Sequence, residues 1–428
     1  MNAPAAPSRH MGLWATTAVV VASMIGTGVF TTTGFLMADL GAGLWVLAAW
    51  VCGGVLAACG ALSYGALARV IPESGGEYVF ISRTLHPSLG YLAGWVSVTA
   101  GFSAPLASAA IAFGRYLAPF LPEGLPPSVT SFLLLALTSL LHATSNRHGT
   151  RIHAYVVACE LVLIVGLAAF GLVQAKVPLV PERAALPPFA PTDFAVSLVW
   201  VSFSYAGWNA GVYIGGEVRD PARTLPKALL LGTAFTTALY VMLNLAFVSA
   251  GPPELLAGKL EVGQVAAFAW GGPTLARFVS LLVALALAAS VSALVFTGPR
   301  VLGRMAQDGY LPGWMAPASA TTPPRAAIGS LFLLASLLAV TATYEHLLTY
   351  IGVLLGLSNA VTVVGLFRLR RQRPQLRVPG WPVVPGLFLA LVGWMVAFTV
   401  YRKPLEALIG AATLALGWVA YRRRGAGN

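Results

Sequence analysis

Twelve predominantly apolar runs of membrane length divide this chain, at roughly 12–38, 44–69, 89–118, 127–143, 152–174, 194–216, 226–250, 272–298, 326–343, 347–368, 383–401 and 405–421. A helix needs about 20 such residues to cross the hydrocarbon core of a bilayer. Lipid offers the backbone no hydrogen bonds, so a chain built from these runs folds as a bundle of helices. Only 9% of the residues are charged, against about 25% in ordinary soluble domains. The expected architecture is an all-α membrane protein with twelve transmembrane helices. No connecting segment is long enough for a soluble domain. The first run has no cleavage-like site after it and is read as a retained helix.

The net charge of +12 would suggest a nucleic-acid partner in a soluble chain, but here it follows topology. Most Lys and Arg fall in alternate loops, among them Arg219, Arg223 and Lys227, the stretch Arg368 to Arg377, and Arg422, Arg423 and Arg424. The positive-inside rule places those loops, the tail 1–11 and the tail 422–428 in the cytoplasm. An integral plasma- or inner-membrane protein is expected, with no nucleic-acid partner. The RRQR and YRRRG clusters are read as orientation signals, the alternative being attraction of anionic lipid. Cys52, Cys59 and Cys159 lie within predicted helices without CxxC spacing and read as small core residues.

Two of the runs carry glycines where a helix tolerates them poorly. "VASMIGTGVF" (21–30) holds Gly26-Thr27-Gly28 near its centre, and "FSYAGWNAGVYIGGE" (203–217) is interrupted at Gly207, Gly211, Gly215 and Gly216. Glycine costs about 1 kcal/mol relative to alanine inside a helix. Taken alone, Gly26-Thr27-Gly28 fits a close-packing notch. The second interruption, about 180 residues on, changes the reading. With five helices in 12–174 and five in 194–368, both breaks fall in the first helix of a five-helix unit, and an odd count inverts the second unit. Interrupted segments at corresponding positions of two inverted halves point to a transporter's binding site. An unwound turn frees backbone N–H groups at a helix N-terminus, suited to a carboxylate, and carbonyls at a C-terminus, suited to an ammonium.

The motifs resemble those of the amino acid–polyamine–organocation transporters, and nearest the L-type amino acid transporter branch. The similarity rests on "MIGTGVF" (24–30), "ALSYGALARVIPESGGEYVFI" (61–81), "FSYAGWN" with "GGEVRDPARTLPKAL" (203–229), "PRVLGRMAQDGYLPGWM" (299–315) and "RVPGWPVVP" (377–385), in order along nearly the whole chain. The resemblance implies a five-plus-five inverted-repeat core with discontinuous helices one and six, peripheral helices over 383–421, and alternating access around a central amino acid. It implies a substrate site at Met24, Ile25, Gly26, Thr27, Gly28, Val29, Phe203, Ala206, Gly207 and Asn209. Backbone N–H groups of Thr27, Gly28 and Val29 would hold the carboxylate, and carbonyls of Met24, Phe203 and Ala206 the ammonium. Phe203 would also be an aromatic gate, with lipid or core packing as the alternative for it and Trp208. Ser108 and Ala109 match side-chain-pocket positions. Two departures stand out. Many relatives carry a lysine in helix five where this chain has Glu160, and Ala66 replaces a glutamate often seen at the end of helix two.

Glu160 lies about two turns inside the fifth run. An ionised carboxylate there is expensive, so an intramembrane acid is by default a functional residue. The expectation is a proton-coupling site, the alternative a structural acid bonded to backbone N–H groups or to a His or Arg; His153 reads as an interface residue. Ser290 and Ser292 offer hydroxyls of a kind that ligate sodium, but serine is common in membrane helices. No cofactor and no metal cluster is expected, and neither GxSxG nor paired deep carboxylates suggest an enzyme. The loop "APFLPEGLPPS" has no cysteine for a disulfide-linked heavy chain. The function expected is secondary active transport of amino acids, as proton symport or exchange. The alternatives are a polyamine or organic-cation transporter of the same fold, or a membrane-embedded amino acid sensor.

Overall fold

The computed structural model describes residues 10–144, 149–177, 186–317 and 322–425, with backbone alone for 149–156, 304, 424 and 425. The expected tails beyond residues 10 and 425, Arg147, and the side chains of Arg151 and His153 lie outside the described residues.

The fold is all-α. In chain order the helices are α1 (Leu13–Met24), α2 (Gly28–Leu40), α3 (Gly43–Ala68), α4 (Glu77–Thr84), α5 (Pro87–Val96), α6 (Ala104–Leu117), α7 (Pro127–Thr144) and α8 (Gly149–Val173). There follow α9 (Pro191–Ser204), α10 (Pro221–Val248), α11 (Pro253–Leu256), α12 (Val262–Gln307), α13 (Arg325–Thr341), α14 (Tyr344–Gln372), α15 (Val383–Arg402) and α16 (Pro404–Gly425). Proline opens α5, α9, α10 and α11, where its missing N–H removes no helical bond. Gly41, at a φ of 66°, ends α2.

Among the described residues, eight helices are long and apolar enough to cross a membrane, nine if α1 and α2 form one bent span. Length and composition alone therefore do not reach the expected twelve, because α13 and the described part of α8 are shorter apolar helices and the run at 194–216 leaves α-helical geometry after Ser204. The expected run at 272–298 is part of a longer helix, α12, which leaves helical geometry at Gly271 and Gly272. A π-helical segment, Ser97–Ser103, joins α5 to α6.

Helices α2 and α10 and the end of α9 meet α3 in an aromatic core. Trp50 lies 5.9 Å from Tyr205 and 5.5 Å from Tyr240 between ring centroids, and its Nε1 donates to Thr33 Oγ1 at 3.1 Å. The chain start is tied to the end of the second broken segment, where Arg219 N donates to Met11 O at 2.8 Å. Of the three cysteines only Cys59 is buried; Cys159 is exposed, so the core reading fails there because its face of α8 points away from the bundle.

Candidate functional site

Helix α1 stops at Met24 because Ile25 turns extended, with φ −70° and ψ 119°. Helix α2 restarts at Gly28 at an angle of 46° to α1. Thr27 stands at its N-cap without a side-chain hydrogen bond to the first turn. The leading N–H groups of α2 thus remain available at the positive end of a helix dipole. The Thr27 hydroxyl lies off the cap, and Thr31 Oγ1 instead donates to Thr27 O at 2.8 Å.

The second break begins after Ser204. Ala206 N donates to Phe203 O at 2.9 Å, Gly207 takes a φ of 101°, and a 3-10 segment runs from Ala210 to Glu217. The two breaks touch. A Cβ on Gly207 would stand 2.3 Å from Ser23 O, and one on Gly28 would stand 2.3 Å from Ser204 Oγ. A Cβ on Gly26 would meet nothing within 4 Å.

Both breaks line one cavity of about 430 Å³. Met24, Ile25, Gly26, Thr27, Gly28, Ala109, Glu160, Phe203, Ala206, Gly207 and Asn209 are all at its wall. Two predicted residues are not. Val29 is fully buried in the core behind the break. Ser108 is fully buried as well, its hydroxyl donating to Ala104 O at 3.0 Å, so on α6 it turns away while Ala109 faces in. Further wall comes from α3 and α15, from the π segment (Ser97, Gly101, Phe102), from α12 (Ala289, Ser290, Ala293) and from α14 (Gly352, Gly356, Asn359). Trp208 packs edge-on against Tyr64 at 4.7 Å, so for that ring core packing and cavity lining coincide.

Glu160 is 4% exposed. Ser290 Oγ stands 3.5 Å from its Oε1, the long limit of a hydrogen bond. Among the described residues no Lys, Arg or His pairs with it. Ser292 bonds elsewhere, to His142 Nε2 at 2.8 Å, so the two serines cannot form one ion site; residues two apart on a helix face different ways. At the first break itself, the Tyr240 hydroxyl donates to Met24 O at 2.6 Å.

A second acid, Glu77, was legible only as part of the SGGEY motif. The positive φ of Gly75 and Gly76 turns α4 back against the bundle, and Glu77 is buried at the cavity wall. Its two carboxylate oxygens accept from Asn209 Nδ2 and Tyr213 OH. Asn209 therefore faces the cavity as expected, with its amide engaged by the acid.

Residues 11–417 match the family model described as amino acid permease. The chain belongs to the amino acid permease family. It is similar to the large neutral amino acids transporter small subunit 2 of Mus musculus, 28% identical over 96% of this chain and 80% of the relative. The Asc-type amino acid transporter 1 of Mus musculus is 27% identical over 96% and 80%. The b(0,+)-type amino acid transporter 1 of Homo sapiens is 26% identical over 92% and 83%. The permease is thus an integral membrane transport protein and not an enzyme.

In the permease the cavity wall reaches from the breaks to Glu77 of α4, and on the other side of the breaks the helices pack together. There Thr31 and Tyr344 share a hydroxyl hydrogen bond of 2.6 Å, and Phe35 stacks on Tyr344 at 5.9 Å and meets Trp200 edge-on at 6.2 Å. Above them Lys403 pairs with Glu345 at 2.6 Å and Arg402 with Asp193 at 2.7 Å. Burial alone would lower the Lys403 ammonium, but the Glu345 carboxylate, with Asp39 and Glu406, raises it above its ordinary value.

The Glu77 cluster yields a direct prediction. Glu77→Ala leaves two donors without an acceptor, at about 1–3 kcal/mol for each buried group. The melting temperature in detergent is expected to fall by several degrees, and by less for Glu77→Gln, which keeps one acceptor. An unchanged melt for Glu77→Ala would show that the acid does not hold the second break to α4.

Proposed function

We propose that the permease moves amino acids across the membrane by alternating access, with the substrate held between the two helix breaks. The observation that carries this reading is that both breaks open on the same cavity. The substrate carboxylate sits on the N–H groups at the start of α2, around Gly26, Thr27 and Gly28. The ammonium is taken by carbonyls of Met24, Phe203 and Ala206. The first two already accept one bond each, from Tyr240 OH and Ala206 N, and a carbonyl oxygen has a second lone pair. Phe203 gates the site. The inverted repeats are residues 12–174 and 194–368, with 383–421 peripheral, and both termini lie in the cytoplasm together with α4. On this orientation the cavity faces inward, and Thr31, Phe35 and Tyr344 form the outer closure. Glu160 carries the coupling proton. No disulfide-linked partner chain is required.

A second reading has its own support. Glu77 and Glu160 both line the cavity, and among the described residues no Lys or Arg does, a charge balance that suits a polyamine or other organic cation. A thermal-shift screen of the purified permease against the twenty amino acids and common polyamines separates the two. A ligand at about 100 times its Kd adds about 2.7 kcal/mol to the folded state, so the substrate class raises the melting temperature. Neutral amino acids are expected to do so. A shift with polyamines and none with any amino acid would overturn the main reading.

A further inference from the structure

A second cavity, of about 290 Å³, lies at the outer ends of α6, α7, α13 and α14 and shares no wall residue with the central one. Its depth in the bilayer follows from the helices that form it. Pro127 and Ser128 open α7, and Thr343 and Tyr344 open α14. One end of the cavity is therefore level with the ends of the spans, where lipid headgroups lie. Farther along α7 and α13 the wall is Phe132, Leu135 and Ala339, at the depth of acyl chains.

The two ends differ chemically. At the headgroup end stands Arg115, half exposed, which donates through Nε to Glu261 Oε1 at 2.5 Å. That bond uses one of the five guanidinium donors, and the two Nη groups have no partner among the described residues. The N-terminal ends of α7 and α14 add partial positive charge at the same place. Deeper in, Ser336 Oγ is buried without a hydrogen-bond partner. On the apolar side, Phe132 is 48% exposed and Val340 78% exposed toward the membrane. A cation and two helix N-termini at headgroup depth, above an apolar groove open to lipid, complement a phosphate on a hydrocarbon chain.

We propose that this cavity binds a glycerophospholipid, its phosphodiester on Arg115 at the ends of α7 and α14 and one acyl chain along Phe132, Leu135 and Val340. Tyr344, which closes the central site through Thr31 and Phe35, forms one wall, so the bound lipid rests directly against the outer closure.

Native mass spectrometry of the full chain released from phospholipid nanodiscs tests this. The wild type is expected to retain one phospholipid at detergent concentrations that strip the rest. Ser336→Phe, which fills the cavity, is expected to lose it, and Arg115→Gln to retain it at least about tenfold more weakly, a change of about 1.4 kcal/mol. Glu261→Gln breaks the same ion pair but leaves the guanidinium, and is expected to keep the lipid. An unchanged melting temperature, read for each variant, shows that lost lipid is not lost fold. The proposal is overturned if the wild type retains no phospholipid, if the retained molecule contains no phosphate, if folded Ser336→Phe and Arg115→Gln keep the lipid, or if Glu261→Gln loses it as readily as Arg115→Gln.

Discussion

Gly26→Ala is expected to give a folded permease that binds its amino acid poorly, whereas Gly207→Ala is expected to be strongly destabilised. The same added methyl group meets opposite surroundings at two glycines that face one cavity. At Gly26 the new Cβ would contact nothing within 4 Å, and no left-handed φ has to be kept. The backbone is spared, and the methyl projects beside the N–H groups that would hold a carboxylate. A loss of at least about tenfold in affinity, about 1.4 kcal/mol, is expected in a binding titration, with a melting temperature close to wild type. At Gly207 the φ of 101° is one that side chains rarely adopt, and the Cβ would sit 2.3 Å from the backbone oxygen of Ser23. Strain of about 1–3 kcal/mol joins overpacking of about 1–3 kcal/mol, against a total stability of about 5–15 kcal/mol. Size-exclusion profiles of the two proteins check the contrast. Wild-type binding by Gly26→Ala would remove the carboxylate from the first break, and a monodisperse, stable Gly207→Ala would show that the breaks do not need to touch.

What could be read from the sequence is what depends on local pattern. Apolar runs fix helices because lipid leaves the backbone no other partner, and the glycines at 26, 28 and 207 marked the turns where helices stop. What could not be read depends on how elements fold back on one another. Glu77 lies in a polar loop by its neighbours, and only the turn at Gly75 and Gly76 brings it to the cavity. The π segment at Ser97–Ser103 adds a residue to one turn, which shifts every later side chain on α6. That shift decides whether Ser108 or Ala109 faces inward, and no single sequence records it. Ser290 and Ser292 looked like a pair along the chain, but helical geometry sends one to Glu160 and the other to His142. The contact of Thr31 and Phe35 with Tyr344 joins residues more than 300 positions apart, a distance at which local pattern carries no signal.

Glu160→Gln is expected to abolish accumulation driven by a pH gradient while leaving amino acid binding within about threefold of wild type, less than about 1.4 kcal/mol. The argument starts from isolation. Glu160 is buried, no described cation pairs with it, and its one hydroxyl neighbour, Ser290, stands at the limit of bonding distance. A carboxylate so placed is costly as an ion unless a proton or a cation accompanies it. It shares the cavity wall with the first break, where Tyr240 donates to the Met24 carbonyl at the end of α1. On the proposed reading, a proton loaded on Glu160 changes the charge of the wall that the substrate faces. Glutamine keeps the shape and cannot carry the proton, so the coupling is removed with little change in packing. In proteoliposomes with an imposed pH gradient, the wild type is expected to concentrate labelled amino acid, and Glu160→Gln only to exchange it across the membrane. Full gradient-driven uptake by the glutamine variant would make Glu160 a structural acid and place the energy source elsewhere. Loss of exchange together with accumulation would mean instead that the carboxylate itself helps to hold the substrate, the role that the polyamine reading gives it.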